Sequence, residues 1–468
     1  MHISYLYPDL KLNIQIAGIT NHSKQVRSNF IFVAVKGKKE NGNKYIKEAL
    51  KNGAVLVVAA KRKMDKRFIY AKNPKLEYIR LLQIFYGYRH NIYTVGITGT
   101  DGKTTTATLL NAIFNTINDS AYIGTNGIEY LGKHIDTANT TPSPDLLYSS
   151  YQVFRKHKIH DMIMEVSSEG ILDKRIEHFY FDGAIFTNLS HEHLNTHKTM
   201  NAYFLCKARL FQMLKKDGLL VINADEEYSR RIAYYTQAKI ITFGFTHGDY
   251  KIKKYKMSLD GSSFEVYYRG KSIGTFHTSL FGKYNIYNAL GAIAYTYELG
   301  IPAEYIQNAF NAVKQVDGRF MVYQKENKTF IIDYAHTPNA LKSLLESIRE
   351  FAKSRIILIT GAAGEKDTTK RSEMGLISTR LADITIFTSE DPKNESLFKI
   401  FEDLTKEIKD KDYYLTLTRY DAVHLAARIA KENDIVLITG KGNEKTERIK
   451  NFIFQQNDLD LVKEALKS

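Results

Sequence analysis

Tryptophan is absent from this chain and cysteine occurs once, at position 206. A lone cysteine excludes an internal disulfide and a cysteine-built zinc site, and it fits a reducing compartment. No apolar run approaches the roughly 18 residues of a membrane span. The N-terminal MHISYLYPDLKL lacks the apolar core of a secretory leader. A cytoplasmic location with no membrane partner is therefore expected. The net charge of +15 raises the question of nucleic acid, but the basic residues are spread along the chain. Short clusters occur at 61–67 and 251–256, without a recognition-helix, zinc-finger or RNP pattern. The excess charge is read as attraction for polyanionic small substrates, and no nucleic-acid partner is expected. Abundant Lys, Ile and Tyr fit either heat-adapted usage or an A+T-rich genome.

What is present is the material of a globular enzyme. At 468 residues the chain is too long for one core and should divide into about three domains. The stretch Tyr93–Leu110, YTVGITGTDGKTTTATLL, organises the rest. A β-branched run leads into a glycine-punctuated turn and then into Ala107, Leu110, Ile113, Phe114 and Ile117 at helical spacing. Strand, glycine loop and helix in that order cradle a phosphate. Gly99 and Gly102 let backbone N–H groups face the anion, Lys103 brings a point charge, and Thr104 can hold Mg²⁺. The first glycine of the full Walker pattern lies further upstream, so Gly96 or Gly99 opens the loop here. The reading is a nucleoside-triphosphate site.

Residues 1–90 read as a small α/β unit, with strands at Phe30–Val35 and Ala54–Ala59 around a helix over Tyr45–Asn52. Residues 91–316 read as the nucleotide-binding domain. In it Asp161–Val166 is a buried strand carrying Glu165 near its end, on the side where ligands bind in a doubly wound sheet. Glu165 is a candidate Mg²⁺ ligand. His191, His193 and His197 crowd into eight residues, and one of them suits Mg²⁺ or phosphate. Lys207 stands apart from the stripe of Phe204, Ala208 and Phe211, and its neighbours alone make it a solvated helix lysine. Asn285 and Asn288, at the start of a small-residue helix over Gly282–Leu299, offer amides to an adenine edge. Residues 317–468 supply four β-runs, at 330–333, 356–360, 384–388 and 435–439, each delivering a Gly- or Asp-rich loop. That is a Rossmann-like sheet with its functional loops on one edge.

The ordered blocks GITGTDGKTTT, ANTTPSPD, MEVSS, FTNLSHEHLNTH, AYFLCKARLF, GKYNIYNAL, DGRF, DYAHTPNAL, GEKDTTKRSEMG and TGKGNE resemble the Mur ligases. They look most like the MurE type or its archaeal pseudomurein counterpart, over residues 20–450 or so. The resemblance implies an α/β fold in three domains: a UDP-substrate N-domain, a central P-loop ATPase domain with a mostly parallel sheet, and a Rossmann-like C-domain for the incoming amino acid. It implies an ATP-dependent acid–amino-acid ligase of cell-wall precursor synthesis, with ATP and two Mg²⁺ as cofactors. A UDP-linked sugar peptide and a free amino acid would be its partners, and a monomer its state.

By the same resemblance Gly99, Thr100, Gly102, Lys103, Thr104, Thr105, Asn188, Asn285, Arg319, Asp333 and His336 would bind ATP. Thr104, Glu165, His193 and a carbamylated Lys207 would hold metal, and Lys103, Lys207, His193 and Arg319 would carry catalysis. Ser23, Lys24, Asn139, Thr140, Thr141, Ser167 and Arg175 would hold the acceptor, and Arg371, Asp391, Lys393, Gly440 and Glu444 would read the amino acid. The chain departs from the family at Ser167-Ser168-Glu169, His191-Glu192, His22-Ser23-Lys24 and GKGNE, and at Glu390-Asp391-Pro392-Lys393. Enzymes of this type that take meso-diaminopimelate carry Asn-Pro-Arg at the last of these, and Lys393 cannot repeat arginine's two-pronged grip on a carboxylate. With Glu390 and Asp391 beside it, L-lysine is the amino acid expected. A folylpolyglutamate-synthase-like ligase and a nucleic-acid-binding P-loop ATPase are the alternatives.

Overall fold

The computed structural model describes residues 1–37, 40–61, 65–325 and 327–467, so part of the basic cluster at 61–67 lies outside the described residues. The chain forms two compact units that interleave in sequence: 1–94 with 118–181, and 95–117 with 182–468. This grouping differs from three consecutive segments, because 118–181 packs with the N-terminal residues and the C-terminal residues pack with the phosphate loop.

In the first unit, strands Gly18–Thr20, Phe30–Val33, Ala54–Ala59 and Phe68–Tyr70 lie parallel in that order. A second group runs Asp161–Glu165, Ser120–Gly124, Gly127–Tyr130 and Lys133–Ile135, parallel at its first pairing and antiparallel after it. Helix Pro144–Lys156 starts with Pro144 in its first turn after Ser143, whose side chain makes no capping bond. The fixed φ of proline, which lacks the N–H that a first turn cannot use, is sufficient to start it.

The second unit pairs 95–98 with 183–186 in parallel, from strands Tyr93–Thr98 and Phe181–Phe186, followed outward by Leu214–Asn223 and Lys239–Gly244. Beyond these, Tyr250–Ser258, Gly261–Tyr268 and Lys271–Thr278 form the antiparallel edge that the Gly turns of 240–280 foretell. Helix Lys103–Phe114 packs on Lys283–Glu298 and Ala303–Ala312. The helix stops short of Ile117, which is 48% exposed and so is not part of the apolar face that periodicity gave it.

The six-stranded sheet of this unit runs Met321–Lys325, Lys328–Asp333, Ile435–Thr439, Ile356–Thr360, Ile384–Phe387 and Tyr414–Leu415. Only the first pairing is antiparallel. The runs FIID, IILIT and IVLIT are apolar at nearly every position because both faces are covered. Ile331, Leu358 and Leu437 enter one core with helix Pro338–Arg349, while Phe330, Ile357, Ile359 and Ile438 enter another with helix Arg419–Ile429. The carboxyl ends of these strands, at Asp333, Thr360, Phe387 and Thr439, open into the loops singled out from sequence. Among the described residues no helix is long and apolar enough to cross a membrane.

Arg419 is fully buried and ties helix Arg419–Ile429 to helix Asp458–Ala465. Its Nε and Nη2 donate to the two oxygens of Asp458 at 2.5 and 2.8 Å, and Nη2 also reaches the Thr439 carbonyl at 2.6 Å. Removing one partner leaves the other charge dry and uncompensated. Arg419→Met should therefore cost about 3–5 kcal/mol in denaturant unfolding; a loss under about 1 kcal/mol would contradict this packing.

Candidate active site

The phosphate loop is held from both sides before any ligand arrives. Asn188 accepts the Asp101 N–H at 2.9 Å and donates its amide to the Asp101 carbonyl at 3.2 Å, while Thr187 Oγ1 donates to that same carbonyl at 2.7 Å. Thr100 Oγ1 accepts the Ser190 N–H at 3.0 Å. Gly102 has φ +83° as the residue before the helix, and a Cβ there would lie 2.2 Å from Asn288 Oδ1. Both the conformation and the space demand glycine. Gly99 is equally crowded, with a Cβ meeting Thr187 Oγ1 at 1.9 Å. Thr104 and Thr105 are buried in the first turn of the helix.

Lys103 Nζ donates to the carbonyls of Gly99 and Thr100 at 3.1 and 2.7 Å. Lys207 Nζ donates to the same Gly99 carbonyl at 2.7 Å. The solvated-lysine reading of Lys207 is corrected here: it is 1% exposed, because helix Met200–Gln212 is covered on the side facing the loop as well as along its apolar stripe. Its acceptor comes from 108 residues away in the chain, which local periodicity cannot reveal. Burial, then the charge of Lys103, pushes its ammonium well below the usual lysine range. His193 lies edge-on to Tyr203 with centroids 5.9 Å apart and takes a left-handed φ of 59°. Burial and the nearby Lys207 and Lys103 push its pKa down to about 3, so the ring is neutral at pH 7. His197 also packs on Tyr203, and His191 bonds Thr369 at 2.8 Å.

Next to the loop is a cavity of about 500 Å³, a size ordinary for small-molecule sites of about 300–1,000 Å³. Asp101, Gly102, Thr104, Thr105 and Asn188 line it on one side, and Arg319, Asp333 and Tyr334 come from the C-terminal residues. Arg319 sits over the Tyr334 ring at 4.7 Å and has no ion pair among the described residues, so its charge remains for a ligand. Both oxygens of Asp333 accept backbone amides, from Phe320 at 2.8 Å and Ala335 at 2.7 Å. Asp333 thus shapes the turn that presents Arg319. Asn285 lines the cavity, but its amide N–H is given to the Phe281 carbonyl at 2.8 Å. His336 is not among the lining residues; its Nδ1 pairs with the Tyr334 carbonyl at 2.8 Å, and burial keeps the ring neutral. Asp225 was not singled out as a site residue, yet it shares the cavity and accepts from Tyr287 at 2.8 Å.

The residues expected on the acceptor fall in the first unit. Thr141 Oγ1 donates to the Glu165 carbonyl at 2.9 Å and accepts the Ser167 N–H at 2.9 Å, while Arg175 holds the Thr141 carbonyl at 2.8 Å. Thr140 pairs with Thr125 at 3.1 Å, and Asn139 is exposed beside it. Glu165 accepts the Tyr122 O–H at 2.5 Å and the Thr125 N–H at 3.0 Å. Ser23 donates to Glu48 at 2.6 Å, and Lys24 is exposed.

Among the residues expected on the amino acid, Arg371 is 0% exposed. It is committed to Glu395 at 2.5 and 2.8 Å, Asp403 at 3.0 Å and the Ala363 carbonyl at 3.2 Å. In this arrangement it braces the loop instead of offering donors. Asp391 and Glu444 share Lys441 Nζ at 3.1 and 2.9 Å, and Tyr334 O–H donates to Glu444 at 3.0 Å. Lys393 is half-buried, with Nζ 3.3 Å from the Gly364 carbonyl. Gly440, at φ +107°, leaves room for Glu390, whose Oε2 would lie 2.1 Å from a Cβ there. Glu390 is buried and unpaired at that oxygen, and desolvation pushes its pKa up to about 7. Lys441 was missed from sequence because only its buried pairing, not its spacing, marks it.

No group of three or more His, Cys, Asp or Glu among the described residues forms a metal cluster. Within the second unit, the Thr104 hydroxyl and the neutral His193 imidazole are chemically competent donors.

Three family models match in succession: Mur ligase family, catalytic domain at residues 15–93; Mur ligase middle domain at 97–296; and Mur ligase, glutamate ligase domain at 318–442. The UDP-N-acetylmuramoyl-L-alanyl-D-glutamate–2,6-diaminopimelate ligase of Aquifex aeolicus is 35% identical over 468 residues, covering 99% of this chain and 96% of that protein. The enzyme of the same name from Fusobacterium nucleatum is 36% identical over 446 residues, covering 93% and 91%. A solved structure of such a ligase aligns over 100% of this chain and 99% of its own with a TM-score of 0.68 at 26% identity. The MurF ligase of Thermotoga maritima in complex with ADP, at 19% identity, 96% coverage of each chain and a TM-score of 0.69, shares the fold. A folylpolyglutamate synthase of Mycobacterium tuberculosis shares it over only 77% of this chain. Relatives spanning nearly the whole chain, and family models covering it in order, show that this protein belongs to the Mur ligase family and is of the MurE type.

Proposed function

We propose that the protein joins 2,6-diaminopimelate to the free carboxylate of a UDP-N-acetylmuramoyl dipeptide, converting ATP to ADP and phosphate, in peptidoglycan precursor synthesis. The carrying observation is the cavity in which the phosphate loop and Arg319 face one ligand volume. The acceptor carboxylate attacks the γ-phosphorus, the bond to the β-phosphate oxygen breaks, and ADP leaves an acyl phosphate behind. The amine then attacks the acyl carbon, phosphate departs with the C–O bond electrons, and the amine proton passes to solvent. Anion must meet anion in the first step, so fixed positive charge is what the chain has to supply. Lys103 and the backbone N–H groups after Gly99 take the β- and γ-phosphates, and Arg319 approaches from the C-terminal residues. Mg²⁺ bound with the nucleotide would neutralise phosphate charge, and Thr104 and His193 would hold it. Lys207, buried and favoured as the neutral amine, adds to carbon dioxide with loss of a proton to give a carbamate, an anion suited to a second cation. We take the enzyme to act as a monomer in the cytoplasm.

Diaminopimelate replaces the expected L-lysine for two reasons. The relatives at 32–36% identity reported over nearly the whole chain are named as diaminopimelate ligases of bacteria, so the pseudomurein acceptor is not retained. The loop ends present both signs of charge, Asp391 and Glu444 with Lys441 and Lys393. A distal end bearing both an ammonium and a carboxylate matches both signs; lysine's bare ammonium matches one.

Phosphate release with UDP-N-acetylmuramoyl-L-alanyl-D-glutamate, ATP and Mg²⁺ tests the substrate. The expected kcat/KM for meso-diaminopimelate exceeds that for L-lysine by at least about 10-fold, and equal or better use of lysine would contradict the assignment. Lys207→Ala should lower turnover by a factor on the order of 10² or more, with partial recovery in added formate or acetate. Undiminished turnover in that variant would remove Lys207 from the mechanism.

A further inference from the structure

Lys370 is not among the residues that line the nucleotide cavity, and it does not belong to the phosphate loop. It is 5% exposed, as is Glu192. Its Nζ donates to Glu192 Oε2 at 2.8 Å and to the His336 carbonyl at 2.6 Å. Glu192 immediately precedes His193. The loop of His336 supplies Tyr334 and Ala335 to the cavity wall. One residue further on, Thr337 Oγ1 lies 3.3 Å from Asp101 Oδ2 of the phosphate loop. Two further contacts flank the ion pair: the Leu194 N–H on the Asp367 carboxylate at 2.8 Å, and His191 with Thr369 at 2.8 Å. A single dry cation therefore joins the loop carrying His193, the loop walling the nucleotide cavity and the start of helix Arg371–Leu381. The field of Lys370 also reaches Glu390, among the amino-acid loops.

We infer that Lys370 is a positioning residue, which clamps the wall of the nucleotide cavity to the His193 loop and sets the register between the nucleotide and the incoming amino acid. A buried pair adds little stability over apolar packing of the same volume, so its value has to lie in the geometry it imposes. Lysine suits the role because its several N–H donors let one side chain satisfy a carboxylate and a carbonyl at once. The inference rests on the ligase reading for its kinetic consequence, but its effect on nucleotide exchange does not need that reading.

The test compares Lys370→Met, Glu192→Gln and the double variant, which removes both charges and avoids an unpaired one. Thermal unfolding, dissociation of a fluorescent ADP analogue in stopped flow, and the ratio of phosphate released to peptide formed are measured on each. The expected result for the double variant is a melting temperature near that of the parent, ADP leaving at least 10-fold faster, and a kcat lowered at least 10-fold with KM for ATP moved less than 3-fold. The phosphate-to-peptide ratio should rise above one as acyl phosphate is lost to water. A double variant with parental stability, parental ADP release and parental coupling would overturn the proposal. If the parent protein makes no peptide with any UDP-linked acceptor, the ligase reading fails, and the ADP release rates still decide the role of Lys370.

Discussion

One carbonyl oxygen organises the catalytic half of this molecule. Gly99 accepts from Lys103 at 3.1 Å and from Lys207 at 2.7 Å, so two lysine nitrogens converge on one buried residue of the loop. Burial first, and then the charge of Lys103, drive Lys207 toward its neutral form. Burial, then the charges of Lys207 and Lys103, keep His193 neutral and so able to act as a donor to a cation. The protein meets the electrostatic cost of bringing ATP to a carboxylate by fixing these groups in advance. Asn188, Thr187 and Ser190 fix the backbone of the loop before the phosphates arrive.

The C-terminal residues complete the site by the same logic of fixed charge. Asp333 spends both oxygens on backbone amides and thereby shapes the turn behind Arg319. Arg371, buried against Glu395 and Asp403, stiffens the loop that leads into Lys370. Further out, Lys441 bridges Asp391 and Glu444, so the loop ends carry both signs of charge. The sheet beneath is indifferent to this chemistry; its apolar runs serve two cores and deliver four loops to one edge.

Much of this was legible in the sequence because it is local. Strands Ala54–Ala59, Ile356–Thr360 and Ile435–Thr439 have the boundaries their composition gives them, and the glycine loop sits between its strand and helix as read. What was illegible depends on partners distant in the chain. Periodicity placed Lys207 in water because it registers one helix at a time, whereas its burial is set by the phosphate loop. The pairs Lys370–Glu192 and Asp101–Thr337 join segments 178 and 236 residues apart. Arg371 was read as a ligand of the substrate from its place in a motif; its carboxylate partners lie 24 and 32 residues further along and carry no motif of their own.

The central claim is that ATP is used to make the acceptor carboxylate into a mixed anhydride with phosphate before the amine arrives. The most direct measurement follows heavy oxygen placed in that carboxylate through a single round of ligation. One labelled oxygen in each released orthophosphate is the expected result. Peptide formation accompanied by unlabelled phosphate alone would contradict the claim.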